Sequence, residues 1–201
     1  MNASDAIRAE RAGPEHTRGL SELFAHSGCA CHCRYWHFQG DKNAWLDRCA
    51  HHAEDSRTEM ATALRARSEA MRGVVASTDS RVIGWMKLCA AEAVPKLYEQ
   101  RIYRGLPCFG GDRSGVLVVG CFLIDPDFRR RHVAQTLLQR GIDLARADGA
   151  RAIEAFPRRA EGVSDGELWM GPIELFVRAG FEEVHDFRPY PVLRLTLRAD
   201  T

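Results

Sequence analysis

The chain has 201 residues, 45% hydrophobic and 27% charged, with 28 basic against 27 acidic side chains and a formal net charge of +1. Such a composition describes a folded globular chain, long enough to bury a core without disulfide staples. The even balance of charge excludes the broad basic face of a dedicated nucleic-acid binder, and no apolar run approaches the roughly 18 residues of a membrane span.

The N-terminus, MNASDAIRAERAG, lacks the apolar centre of a signal peptide. The cysteines number seven, which is odd. Reduced thiols and a cytoplasmic location are therefore expected. We find no internal repeat and read residues 1–201 as a single domain, with a helical part over 1–70 and the core over 71–201.

In chain order, Ala6 to Arg11 suits a short first strand. Pro14 to Ser27 predicts a helix with Leu20, Leu23 and Phe24 on one face. Asp41 is placed to cap a second helix through Trp45, Leu46 and Cys49. The polar run HHAEDSRTEM is expected to bend or interrupt it, with helix resuming over Thr58 to Ala70. Met71 to Ser77 and Arg81 to Leu88 read as a hairpin. Residues 91–115 read as a long loop or short helix. Loops of this length are often functional, and Tyr98, Tyr103 and Phe109 suit a wall or lid. Val116 to Ile124 suits a buried central strand. A helix follows from about Arg131 to Asp148, and Gly149 is placed to end it. Arg151 to Phe156 is a strand, Trp169 to Ala179 a helix closed by Gly180, and Phe181 to Asp186 and Val192 to Leu197 are the last strands. The fold class is mixed α/β, with a parallel, right-handed strand–helix–strand unit in the second half.

Between the central strand and its helix stand three arginines, Arg129 to Arg131, in FRRRHVA. A helix that starts at a strand end offers free backbone N–H groups and the positive end of its dipole, a good seat for a phosphate or diphosphate. Arginine adds bidentate donors. The alternative is a solvated helix start whose arginines pair with Asp125, Asp127 or Asp143. Glu154 lies in an otherwise apolar strand, where a carboxylate is costly unless paired or functional. It is a candidate general base, the alternative being an ion pair with an arginine. Cys121 in the central strand reads as a core thiol rather than a nucleophile. Cys29, Cys31 and Cys33 alternate, so their sulfurs would share one face of an extended chain. The C-x-C-x-C spacing fits zinc poorly, and no metal is expected.

Pro126, Phe128, Arg129, Val133, Ala134, Leu137 and Leu138 resemble motif A of the GCN5-related N-acetyltransferases. The run ELFVRAGFEEV, Glu174 to Val184, resembles that family's motif B, and PVLRLTL its closing strand. The resemblance is close over about residues 70–198. It implies a mixed central sheet of about six to seven strands, with a splayed parallel pair at its centre and helices on both faces. It also implies acetyl-CoA as co-substrate. The pyrophosphate would lie on the backbone of Arg129, Arg130, Arg131, His132, Val133 and Ala134, and the pantetheine arm would pair with Phe122, Leu123 and Ile124. Some bacterial members carry a Cys- and Trp-rich stretch after the first helix, which implies an acceptor-lining role for Cys31, Cys33, Tyr35 and Trp36; the alternative is packing that pins the loop.

Two positions depart from the pattern. His132 stands where the motif has a glycine, and Phe176 where many members have a tyrosine that protonates the leaving thiolate. Phe176 reads as a core aromatic. The expected activity is acetyl transfer to a primary amine of a small molecule or protein, by direct attack in a ternary complex. The competing readings are a non-catalytic acyl-CoA-binding or regulatory module and a zinc-dependent binding module. No nucleic-acid or membrane partner is expected, and the apolar C-terminal strands would suit a dimer.

Overall fold

The structure, a computed structural model, describes residues 6–159, 162 and 168–197. Both ends of the domain expected over 1–201, and part of its stretch between residues 159 and 168, lie outside the described residues. The strands are β1 (Arg8–Arg11), β2 (Gly73–Ser77), β3 (Val82–Ala90), β4 (Val116–Ile124), β5 (Ala152–Ala155), β6 (Glu182–His185) and β7 (Val192–Thr196). They form one seven-stranded sheet in the order β1-β2-β3-β4-β5-β7-β6. The β4–β5 pair is parallel, and its neighbours are antiparallel. The mixed sheet and its central parallel pair are those expected.

The helices are α1 (Thr17–His26), α2 (Lys42–His51), α3 (Ala53–Arg65), α4 (Pro95–Tyr98), α5 (Val133–Ala147) and α6 (Ile173–Arg178). Helix α5 carries Val133, Leu137, Leu138, Gly141, Ile142 and Ala145 on one buried stripe. That spacing follows the helical period and lays α5 across one face of the sheet. On the other face, Leu20, Leu23 and Phe24 of α1 and Met60 and Leu64 of α3 pack around Trp85. A third apolar cluster, with Trp36, Leu97, Tyr103 and Phe156, fills the end of that face beyond β5.

Two boundaries differ from expectation. The run HHAEDSRTEM is mostly helical, and only His52 breaks it between α2 and α3. Glu54 and Asp55 fall in the first turn of α3, where carboxylates favour the helix dipole. The last helix begins at Ile173 rather than Trp169. Gly171 is left-handed at φ +89, and Pro172 keeps the residue before it out of the helical region. Trp169 is thereby left in a turn, which matters for the site.

Gly73 marks a close approach in the sheet. A Cβ there would overlap the Met86 carbonyl oxygen and the Trp85 ring. Gly73→Ala is therefore expected to lose about 2 kcal/mol or more of stability. Urea unfolding checks this, and an unchanged midpoint would mean that β2 and β3 can part at no cost.

Candidate active site

β4 and β5 pair from Val116↔Ala152 to Val119↔Ala155, and β4 continues to Ile124 paired with β3 but not with β5. The parallel pair thus opens into a cleft. Just past the last pairing, the β3–β4 register shifts, with Lys87 facing Cys121 and Leu88 facing Val119. Gly120 is the extra residue of this bulge, and bulges re-aim side chains beside functional clefts. The Lys87 stem passes so close that a Cβ on Gly120 would sit 3.0 Å from it.

Of the three β4 residues expected to offer backbone to a ligand, the sheet gives only two to the cleft. Asp125 N–H donates to Ile83 O of β3 at 2.9 Å, whereas Phe122 N–H points the other way. Alternation groups Leu123 with Asp125 and Ile124 with Phe122. Leu123 is thus corrected to a β3-facing role. Phe122 N–H is already engaged, donating to Trp169 O at 2.6 Å. The turn before α6 lies along the β4 edge as a short stand-in for another strand.

At the far end of β4, Asp125 opens a short 3-10 turn by accepting from Asp127 N–H at 2.9 Å. The chain then runs through FRRRH into α5. Arg130 and His132 are both left-handed, at φ 58 and φ 61. His132 therefore adopts the backbone that the motif glycine would supply, at a cost of about 1 kcal/mol for a residue with a Cβ. Its ring turns aside to Gln135, with Nδ1 3.2 Å from Oε1, and gives α5 no side-chain cap. The first-turn N–H groups thus remain open to an external acceptor. Asp125 and Asp127 pair with Arg81 and lie near His26, and Asp143 lies near Arg146. Arg131 stacks over Phe128 at 5.2 Å. Arg130, His132, Val133 and Ala134 line a cavity of about 340 Å³ that reaches Glu174 and Arg178 of α6.

The cysteine-rich stretch is a tight turn, not an extended run. Gly28, left-handed at φ 61, ends α1. His32 and Cys33 are also left-handed, at φ 43 and φ 58, and the His32 ring stacks on Phe24 at 5.2 Å. The three sulfurs therefore do not share a face. Cys29 Sγ and Cys31 Sγ lie 3.5 Å apart, and Cys33 turns away from them to line a cavity wall with Cys121. Arg34 and Arg48 both hold Glu59, which fastens the turn to α2 and α3. Trp36 Nε1 donates to Gly120 O at the bulge, 2.8 Å away.

Trp36 and Tyr35 sit between two cavities. One, of about 590 Å³, is lined by Tyr35, Trp36, Tyr103, Phe156, Trp169 and Tyr190 among others. The second, of about 230 Å³, is lined by Cys31, Cys33, Tyr35, Trp36, Trp45, Cys121 and Trp169. Trp169, 40% exposed, is a shared wall and packs against Trp36 at 5.6 Å. All four loop residues expected at the acceptor side, Cys31, Cys33, Tyr35 and Trp36, thus line a cavity beside the β4 bulge. Nothing in the sequence outside the turn between β5 and α6 pointed to Trp169; only its missing helical partners at Gly171 and Pro172 were a signal.

Glu154 lines neither cavity. It is fully buried and accepts five hydrogen bonds: two from Arg113 at 2.7 and 2.8 Å, one from Tyr98 Oη at 2.7 Å and two from Arg194 at 2.6 and 3.2 Å. A carboxylate has about four lone-pair sites, so this one is saturated. Burial pushes its pKa up, but the bonds from Arg113, Tyr98 and Arg194 outweigh burial and hold it below the ordinary carboxylate range. A general base needs a free lone pair and a pKa near the working pH. The expectation that Glu154 is the base is corrected on both counts. Phe176 is fully buried between Phe122 and Phe181 and carries no proton to give.

The family model for the GNAT acetyltransferases matches residues 31–162. The chain belongs to that family. Among solved structures, it is similar to the PaiA N-acetyltransferase from Thermoplasma acidophilum in complex with coenzyme A, at 12% identity and a TM-score of 0.57 over 96% of this chain and 99% of that one. It is also similar to YncA from Salmonella typhimurium with its cofactor acetyl-CoA, at 14% identity and a TM-score of 0.55, covering 96% and 95%. A GCN5-related N-acetyltransferase from Kribbella flavida matches at 18% identity and a TM-score of 0.54, covering 96% and 98%. At these identities the structural likeness shows the fold alone. No curated protein matches at a significant level. Among the described residues, no helix is long and apolar enough to cross a membrane.

Proposed function

We propose that the protein transfers the acetyl group of acetyl-CoA to a primary amine, by direct attack within a ternary complex. The observation that carries this is the opened parallel pair, with an anion-ready helix start at one end of the β4 edge and an aromatic cavity at the other. The residues present fit the cofactor. Arg129 to Arg131 and the first N–H groups of α5 would hold its pyrophosphate, and Phe122 and Ile124 would hold its pantetheine amides. Bound there, acetyl-CoA supplies an activated acetyl thioester. A backbone N–H of the bulged strand is the available donor to the thioester oxygen, in the manner of an oxyanion hole. Tyr35, Trp36, Tyr103 and Phe156 would hold the amine's carrier and exclude water, which favours orientation over hydrolysis.

Glu154 has a structural role in this reading, as the shared anion that binds α4, the 91–115 connection and β7 to β5. The 590 Å³ of the larger cavity suits a small-molecule acceptor. Acetyl-CoA consumption over a panel of small amines tests the proposal, and silence across it with intact cofactor binding would favour a binding-only module. Phe176 is the observation on that side, since it removes the usual acid. A thiolate leaves without one more readily than an alkoxide, because free thiols ionise near pH ~8.5.

Cofactor seating also has an optical signature. Pantetheine on Phe122 N–H must displace Trp169 O, so Trp169 should leave Trp36. Acetyl-CoA is expected to change tryptophan emission in the wild type, and Trp169→Phe should lose most of that change. An equal response in both proteins would place pantetheine elsewhere.

A further inference from the structure

Lys87 is the least accountable charge among the described residues. It is fully buried on β3, its Nζ donates to Ala70 O, and it forms no salt bridge among the described residues. A buried ammonium without a counter-charge is costly. The titratable groups that feel its charge include thiols and an imidazole. Burial, with the Lys87 and Arg34 charges, pushes the His37 imidazole down to about 3, so it adds no charge. Burial pushes Cys89 up to about 11, so it stays a thiol.

Cys33 behaves differently. Cys121 of β4 lies beside its sulfur in the same cavity wall, Lys87 faces Cys121 from β3, the buried indole N–H of Trp85 is close by, and Arg34 follows it in the chain. Against the opposing effect of burial, these hold Cys33 at about 6, while Cys121 is pushed up. The same sulfur sits on a left-handed residue, a strained backbone of the kind kept at functional positions. Cys33 and Cys121 are only 3% and 8% exposed, yet both line the 230 Å³ cavity, so a small reagent has a route to them.

We propose that Cys33 and Cys121 form a peroxide-sensitive dithiol, in which Lys87 balances the charge of the attacking sulfur and oxidation ties the Cys33 turn to the β4 strand. The Cys33 thiolate attacks one oxygen of hydrogen peroxide. The O–O bond breaks, hydroxide leaves and takes up a proton as water, and Cys33 becomes a sulfenic acid. The Cys121 sulfur then attacks Cys33 sulfur. An S–S bond forms, the S–O bond breaks, and the oxygen departs as a second water carrying the Cys121 proton. Two thiols are oxidised and one peroxide is reduced to two waters. The bond joins the wall of the acceptor-side cavity to the strand beside its floor.

The test is peptide mapping of the reduced full-length protein after brief exposure to hydrogen peroxide and blocking of the remaining thiols. A Cys33–Cys121 cross-link, reversed by dithiothreitol, is expected before any other thiol is modified. In Cys121→Ser, Cys33 should stop at sulfenic acid and be trapped by dimedone. Lys87→Met, of similar length, should slow the Cys33 reaction about tenfold at neutral pH, because less of the sulfur is thiolate. The Cys121→Ser readout stands even if Lys87→Met does not fold. A first cross-link between Cys29 and Cys31, or dimedone labelling of Cys33 no faster than that of the half-buried Cys108, overturns the proposal. None of these readouts depends on acetyl transfer.

Discussion

Arg130→Glu combined with Arg131→Glu is expected to weaken acetyl-CoA binding by at least about 100-fold, measured by calorimetry on folded protein. Hydrogen bonds to charged groups contribute about 1.5–3 kcal/mol each, and reversal adds repulsion to their loss. Two such losses give about 3 kcal/mol or more, which is a factor of about 100. Neither side chain forms an ion pair among the described residues, so the change should leave folding stability nearly intact. The residual affinity should also depend less on salt than that of the wild type, since fewer opposed charges remain to be screened. Unchanged affinity would remove the α5 start from the cofactor site and leave the left-handed Arg130 and His132 without an explanation.

Glu154→Ala is expected to destabilise the fold by about 3–5 kcal/mol, because Arg113 and Arg194 would be left in the interior without their shared anion. For a chain of this size, that corresponds to a fall in Tm of about 10 °C. Glu154→Gln keeps the shape and separates the two roles. As a structural anion, Glu154 should lose stability on this change while the folded fraction retains most of its turnover. A base would show the reverse, with kcat down by about 100-fold or more and stability kept. The pH dependence has a definite sign. The folded pKa is depressed below the unfolded value, so the contribution is complete above the unfolded carboxylate range and is lost as pH falls through the folded pKa. Wild type should therefore be less stable in acid by an amount that Glu154→Gln does not show.

The central strand was legible because its run of apolar residues from Val116 to Ile124 admits no other reading, and α5 because its buried stripe repeats at the helical period. The cysteine turn was not. Alternation of Cys29, Cys31 and Cys33 suggests extended chain, and the left-handed backbone has only a weak signature in His32 and none in Cys33. Glu154 showed the limits of a single strand's pattern. The carboxylate was visible, but its partners Tyr98, Arg113 and Arg194 come from three separate stretches of chain. The Trp169 carbonyl on Phe122 was hidden for a similar reason. Main-chain acceptors carry no identity, and only the sheet's geometry determines which one arrives.

The Trp36 bond to Gly120 O joins the cysteine turn to the strand at its bulge. A single buried contact of this sort makes the two sides partners in one equilibrium. If seating a ligand along β4 shifts that carbonyl, the turn moves with it, and occupancy of the aromatic cavity feeds back on the strand. Linkage then requires symmetry: whatever factor an occupant of the cavity gains from a ligand on β4, that ligand gains from the occupant. Replacing Trp36 by phenylalanine keeps the ring and deletes the donor, so it should uncouple the two affinities while leaving each close to its solitary value.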